Sequence, residues 1–149
     1  MQSAEYRVQA NRQGASRPEF QNLVVWQKAQ ALAAEVVRLV DSLPASRSAG
    51  TLGNQVLRST ASVAANIAEG YGRYSEPAYR HHLSIARGSL FETESWLDLL
   101  QKASYLSGDE CLRLTEACEE VARLITTVMK PLRSAQRLGE EPTEYGVDV

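Results

Sequence analysis

SEPAYRHHLSIARGSLFETESWLDLL, residues 75–100, decides the fold. Its apolar and small positions Tyr79, Leu83, Ala86, Leu90, Thr93, Leu97 and Leu100 alternate by four and three over three heptads. That spacing places them on one stripe of an α-helix. Ser75 supplies an N-cap, and Pro77 is tolerated in the first turn, where backbone N–H groups have no helical partner. A stripe of this kind needs a partner surface along its whole length.

The flanking sequence supplies three more helices of the same type. The first is expected from Asn22, as N-cap, to Leu43, with Trp26, Ala29, Ala33, Val36, Val40 and Leu43 as its seam and Pro44 as its stop. A short polar loop, PASRSAG, follows. The second helix is expected from Thr51 to Gly70, with Leu52, Val56, Val63 and Ile67 inside and with Gly70 and Gly72 providing a left-handed exit. The fourth opens at Ser107-Gly-Asp-Glu110, a capping box, and carries Cys111, Leu114, Cys118, Val121, Ile125, Val128 and Leu132. Pro131 is expected to kink or end it. Four helices with short connections make antiparallel neighbours, so the fold class is all-α, an up-down-up-down four-helix bundle. The domain reading is a polar arm at 1–19, the bundle at 20–138 and an acidic tail at 139–149.

Charge bounds the partners. The net charge is −2, but residues 20–133 hold twelve Lys/Arg against twelve Asp/Glu, and 134–149 carry Arg137 against Glu140, Glu141, Glu144 and Asp148. A neutral body with an acidic tail does not favour general nucleic-acid binding. No apolar run approaches the ~20 residues that span a bilayer, and the first residues lack the apolar core of a secretory signal. Cys111 and Cys118 are seven apart on one helix, roughly 10 Å and too far for a disulfide with each other. They are expected as small core residues of a cytoplasmic protein.

No pattern points to an enzyme, a cofactor or a small-molecule substrate. Adjacent His81 and His82 diverge by about 100° on a helix and cannot chelate one metal ion together. Glu92 and Glu94 split across helix faces, and no Glu-x-x-His pattern suggests a di-metal bundle. A stripe of cations does recur: Arg73, Arg80 and Arg87 are seven apart, and Arg123 and Lys130 repeat the spacing on the fourth helix. These residues are candidate phosphate contacts. The commoner alternative is that they pair with Glu76, Glu94, Glu116 or Glu120 on solvated faces.

Residues 62–73, SVAANIAEGYGR, place Asn66 and Glu69 among small residues. Asn66 lies beside Ile67 at the core edge, where a polar residue can fix register and oligomer state. Glu69 stands four before Arg73, the favourable order for a helical ion pair. Arg58 and Glu69 share a face, from which either could reach Glu92 or Arg87 on the third helix. The alanines here and Gly88-Ser89 are expected to let the second and third helices cross closely, locked by a small polar network. Apolar residues off the seams, Val25, Leu32 and Leu39 on the first helix and Ile85, Phe91, Trp96 and Leu99 on the third, belong either to a broad core stripe or to a subunit interface.

FQNLVVWQKA (20–29), TLGNQVLRS (51–59), NIAEGYGR (66–73) followed by Ser75, and YRHHLSIARGSLFETE (79–94) resemble a bacterial family first noticed as reading frames within intervening sequences of large-subunit ribosomal RNA genes. The resemblance runs from Phe20 to about Leu132. It implies a four-helix bundle assembled as a ring-like homopentamer, which favours the interface explanation of the extra apolar surface, and it brings no settled activity. A similar branch comprises accessory proteins of diversity-generating retroelements, pentamers that bind a reverse transcriptase and nucleic acid through basic surfaces; this chain departs from them in being acidic. The motif positions Arg58, Asn66, Glu69, Gly70, Arg73, Arg87, Gly88, Ser89 and Glu92 are assigned to packing and assembly first and to binding second.

Overall fold

The computed structural model describes residues 19–139. The polar arm and acidic tail lie outside the described residues, apart from their inner ends, Glu19 and Gly139. A 3-10 turn, Phe20–Asn22, leads into four helices: α1 (Val24–Ser42), α2 (Arg47–Tyr71), α3 (Glu76–Lys102) and α4 (Gly108–Gly139). Helix α1 packs on α2 and α4, and α3 packs on α2 and α4. The diagonal pairs do not meet, so the four helices form an all-α bundle around one core.

Three helices start on a serine. Ser46, Ser75 and Ser107 accept the N–H of the residue three later, at 3.2, 3.2 and 3.1 Å. Each satisfies one of the N–H groups a helix start leaves without a partner. At Ser107 only half of the expected capping box forms, because the Glu110 carboxylate binds Arg113 instead. Helix α1 differs from expectation. Asn22 ends the 3-10 turn, and Leu23 precedes the helix without a side-chain cap. There the entry is fixed by Phe20 packing edge-on to Trp26, at 5.2 Å between ring centroids, and by Gln27 Nε2 donating to the Gln21 carbonyl at 2.8 Å. Helix α2 begins four residues earlier than expected, because Ser46 caps it and converts half of the anticipated loop into helix.

The helix ends also depart from expectation. Gly72 leaves α2 with φ −74°, in the right-handed region, and Gly70 lies inside the helix, so neither provides a left-handed exit. That conformation occurs instead at Ser104, with φ 64°. There Tyr105 N–H donates to the Leu100 carbonyl and Ser104 N–H to the Gln101 carbonyl, both at 2.9 Å, which is a Schellman closure of α3. Tyr105 then reaches across to α2, its hydroxyl 2.6 Å from Ser48 Oγ and 3.3 Å from Ser46 Oγ. Pro131 does not stop α4, which continues to Gly139.

The core follows the expected seams on α3 and α4. Leu83, Ala86, Leu90, Thr93, Leu97 and Leu100 are buried, as are Cys111, Leu114, Cys118, Val121 and Ile125. Both cysteines are free. On α1 the buried line is Val25, Ala29, Leu32 and Val36, while Trp26, Ala33, Val40 and Leu43 are half-buried. Two registers one residue apart share Ala29 and Val36, and α1 packs on two helices at once, so its stripe is wide. The extra apolar line of α1 is therefore core. Among the described residues no buried side-chain nitrogen or oxygen lacks a hydrogen-bond partner.

A left-handed L-residue costs about 1–2 kcal/mol, and glycine returns part of the relief through unfolded-state entropy, about 0.4–1 kcal/mol. Ser104→Gly is therefore expected to stabilise the bundle by about 0.5–1 kcal/mol, raising Tm by about 2–4 °C in thermal melts followed by circular dichroism. An unchanged or lower Tm contradicts this account of the α3 end.

Candidate functional site

Helices α2 and α3 are joined by a polar seam. At its deep end, Thr93 Oγ1 lies 2.8 Å from Ser59 Oγ and 3.3 Å from Thr60 Oγ1, and each of the three hydroxyls also lies within hydrogen-bond distance of a carbonyl of its own helix, so three O–H protons are shared among five contacts. One helical step outward, Ser62 Oγ meets Ser89 Oγ at 3.1 Å. Asn66 Nδ2 donates to the Ser62 carbonyl at 2.9 Å and to its hydroxyl at 3.0 Å, leaving Oδ1 to accept from His82 Nδ1 at 3.1 Å. Glu69 closes the row, 2.8 Å from Arg73 and 3.9 Å from His82. The Arg73 guanidinium, ahead of His82, holds the Glu69 carboxyl below the usual carboxylate range. The polar residues of 62–73 thus serve a helix crossing, with partners inside the same chain.

Of the small residues expected at this crossing, Ala64, Gly70 and Ser89 are buried in it, while others are not. Ala61 and Ala65 are exposed. Gly70 is the critical one, because a Cβ there would lie 2.5 Å from His82 Cβ and 3.2 Å from the Tyr79 carbonyl oxygen. A Cβ on Gly88 would meet nothing within 4 Å, so Gly88 is not a packing residue. Glu92 accepts from Trp96 Nε1 within α3 and Arg58 is exposed on α2, so neither joins the seam.

The cation stripe divides. Arg73 is held by Glu69 and lies apart from the rest. Arg80 and Arg87 of α3 converge with Lys130 of α4 on a groove of about 830 Å³, together with His81, Gly88 and Phe91. Arg87, Lys130 and Arg123 line its continuation, of about 340 Å³. No residue lining either part is acidic. The Arg87 guanidinium lies over the Phe91 ring, 5.1 Å from its centroid. Sequence spacing identified the cations of this groove; Phe91 and His81 were missed as members because they sit off the seven-residue repeat.

Of the glutamates expected to neutralise the stripe, Glu120 binds Lys28 of α1 at 2.7 Å and also feels the nearby Arg123, while Glu94 lies beside another carboxylate. Glu94 lies by Glu119, and burial, then that neighbour, raises its carboxyl above the usual range. Burial, with Glu94 and Glu119 adding, pushes the Cys118 thiol up to about 12, so it is a poor nucleophile at neutral pH. A second bridge to α1 joins Arg113 to Glu35 at 2.8 Å. Both α1–α4 pairs are solvent-exposed and contribute little stability. Among the described residues no group of three His, Cys, Asp or Glu is placed to hold a metal ion, and no helix is long and apolar enough to cross a membrane.

A family model described as 23S rRNA-intervening sequence protein matches residues 21–127. The chain is also similar to a crystal structure of a protein of unknown function from the S23 ribosomal protein family, from Bacteroides thetaiotaomicron. That likeness has 29% sequence identity and a TM-score of 0.68, and covers 72% of this chain and 99% of the other. No curated protein sequence matches the chain.

Two substitutions check the local physics. Gly70→Ala is expected to destabilise by about 1–3 kcal/mol through overpacking against backbone and a Cβ, whereas Gly88→Ala, with open space and better helix propensity, is expected to stabilise by up to about 1 kcal/mol. Equal shifts in urea-denaturation midpoints at the two sites rule out the close approach as the reason for Gly70.

Glu94 binds its proton more tightly folded than unfolded. Its contribution to stability is therefore present below the unfolded value, near 4.5, and is lost as pH rises through the raised folded value. Glu94→Gln is expected to raise Tm at pH 7 and to give a smaller gain, or none, at pH 4. A gain independent of pH contradicts this.

Proposed function

The chain belongs to the family of 23S rRNA-intervening sequence proteins, and from that premise we propose that it is a non-enzymatic, cytoplasmic, homo-oligomeric bundle that acts as a scaffold or interaction protein. The observation that carries this reading is the outer face of α3. Ile85 and Leu99, four helical turns apart on one face, are 39% and 41% exposed. The core of the chain is already complete without them, so they are available to bury against other copies. The family resemblance supplies the stoichiometry, a pentameric ring.

A second reading is favoured by the groove between α3 and α4. Four of the five expected phosphate contacts, Arg80, Arg87, Arg123 and Lys130, line one continuous channel whose lining carries no carboxylate. A neutral average charge is compatible with nucleic-acid binding when the cations are gathered in this way. Each subunit of a ring would bring its own groove, so the two readings can hold together.

The test is solution mass by light scattering during gel filtration, with and without cellular RNA. The expected particle contains five chains of 16.4 kDa each. Ile85→Glu combined with Leu99→Glu is expected to shift it to monomer with helicity retained. A monomeric wild-type chain, or an unchanged mass in the double variant, overturns the α3 interface. A gain of mass with RNA that salt reverses supports the second reading.

A further inference from the structure

We propose that the α3–α4 groove takes a single strand of nucleic acid, with Phe91 as the platform on which one unpaired base stacks and with Arg80, Arg87, Arg123 and Lys130 as its phosphate contacts. The inference rests on the phosphate reading of this groove and adds to it the form of the polymer.

Phe91 is the feature that a phosphate site alone does not explain. It is 51% exposed, on a helix whose core stripe is complete without it. It lines the same channel as Arg80, Arg87 and Lys130 rather than an apolar patch. Arg87 lies over its ring, which orients the ring and places a planar guanidinium beside it. An exposed aromatic ring flanked by cations in an open channel is the arrangement that holds unpaired bases, because every base has a π-face and each stacked base carries its own phosphate. Bases inside a duplex already stack on each other. A duplex would meet the cations and gain nothing from Phe91.

Groove shape agrees. From Pro77 to Phe91 the α3 wall runs about 21 Å at 1.5 Å per residue. Gly88, three residues before Phe91, presents bare backbone, and a Cβ there would meet nothing within 4 Å. The wall is therefore lowest one turn from the ring, where the sugar of a stacked nucleotide would pass. Arg123 and Lys130 of α4 stand on the opposite side, so the strand would have cations on both flanks.

The experiment is fluorescence anisotropy on the full chain, with labelled oligouridine, oligodeoxythymidine, a DNA duplex of the same length and polyglutamate, across a salt series. Either single strand is expected to bind more tightly than the duplex or the polyglutamate. The slope of log K against log salt is expected near −3, about −0.7 for each of four phosphates. Phe91→Ala is expected to weaken single-strand binding by about 5- to 150-fold with the slope unchanged, and Phe91→Trp to retain it. Arg87→Gln is expected to reduce the slope by about 0.7. Because Phe91 is exposed, circular dichroism of Phe91→Ala should match the parent chain. Absence of all binding at low salt removes the phosphate reading and this inference together. Equal binding of duplex and single strand, with Phe91→Ala neutral, leaves the phosphate reading standing and overturns the stacking platform. Tighter binding of polyglutamate overturns the inference in favour of an acidic protein partner.

Discussion

The close approach of α2 to α3 sets the rest of the structure. Where Gly70 passes His82 there is no room for a methyl group, and a row of hydroxyl and amide groups runs from Thr93 outward to Asn66. Each hydrogen bond in such a row contributes only about 1 kcal/mol. Its larger effect is on specificity. Slide α3 by one turn along α2, and Ser89 and His82 lose Ser62 and Asn66 as partners, at a cost of about 1–3 kcal/mol for each group left unpaired. An apolar seam of leucines would tolerate that slide far better.

Fixing α3 against α2 fixes what its other sides present. The same helix directs Leu83, Leu90 and Leu97 inward, turns Arg80, Arg87 and Phe91 toward α4, and leaves Ile85 and Leu99 outward. One rigid element thus supplies the core, one wall of the groove and the proposed subunit contact. A change in the α2–α3 register would move all three together. The residues that attract notice as a motif, Asn66, Glu69 and Gly70, bear on these surfaces through the placement of α3.

Much of this was legible in the sequence. The four-three alternation of α3 and α4 predicts the central part of their buried faces, with Tyr79, Val128 and Leu132 at the ends only half-buried, and the expectation of a polar lock between α2 and α3 agrees with the seam found. What failed did so for identifiable reasons. On α1 two overlapping registers fit the periodicity, and only contact with two neighbouring helices selects Val25 and Leu32. Glycine suggested a left-handed exit at Gly72, whereas the left-handed residue is Ser104, whose type carries no such signal. Gly70 and Gly88 look alike in sequence, but only the facing side chain tells a close approach from open space. Among the arginines, spacing placed Arg80 and Arg87 together correctly but could not show that Glu69 holds Arg73 apart. Phe91 carried no periodic signal as a groove residue, since a ring beside a cation is a relation in space.

The buried thiols give this bundle an internal clock. Cys111 and Cys118 lie on α4 beneath the other helices, and the second is held in its protonated, unreactive form by its surroundings. A thiol reagent therefore reaches them only when α4 lifts from the core, so the rate of alkylation counts those excursions. Two cysteines two turns apart on one helix report whether it peels from one end or releases as a unit. Assembly and ligand occupancy would each slow that clock through the elements they hold in place.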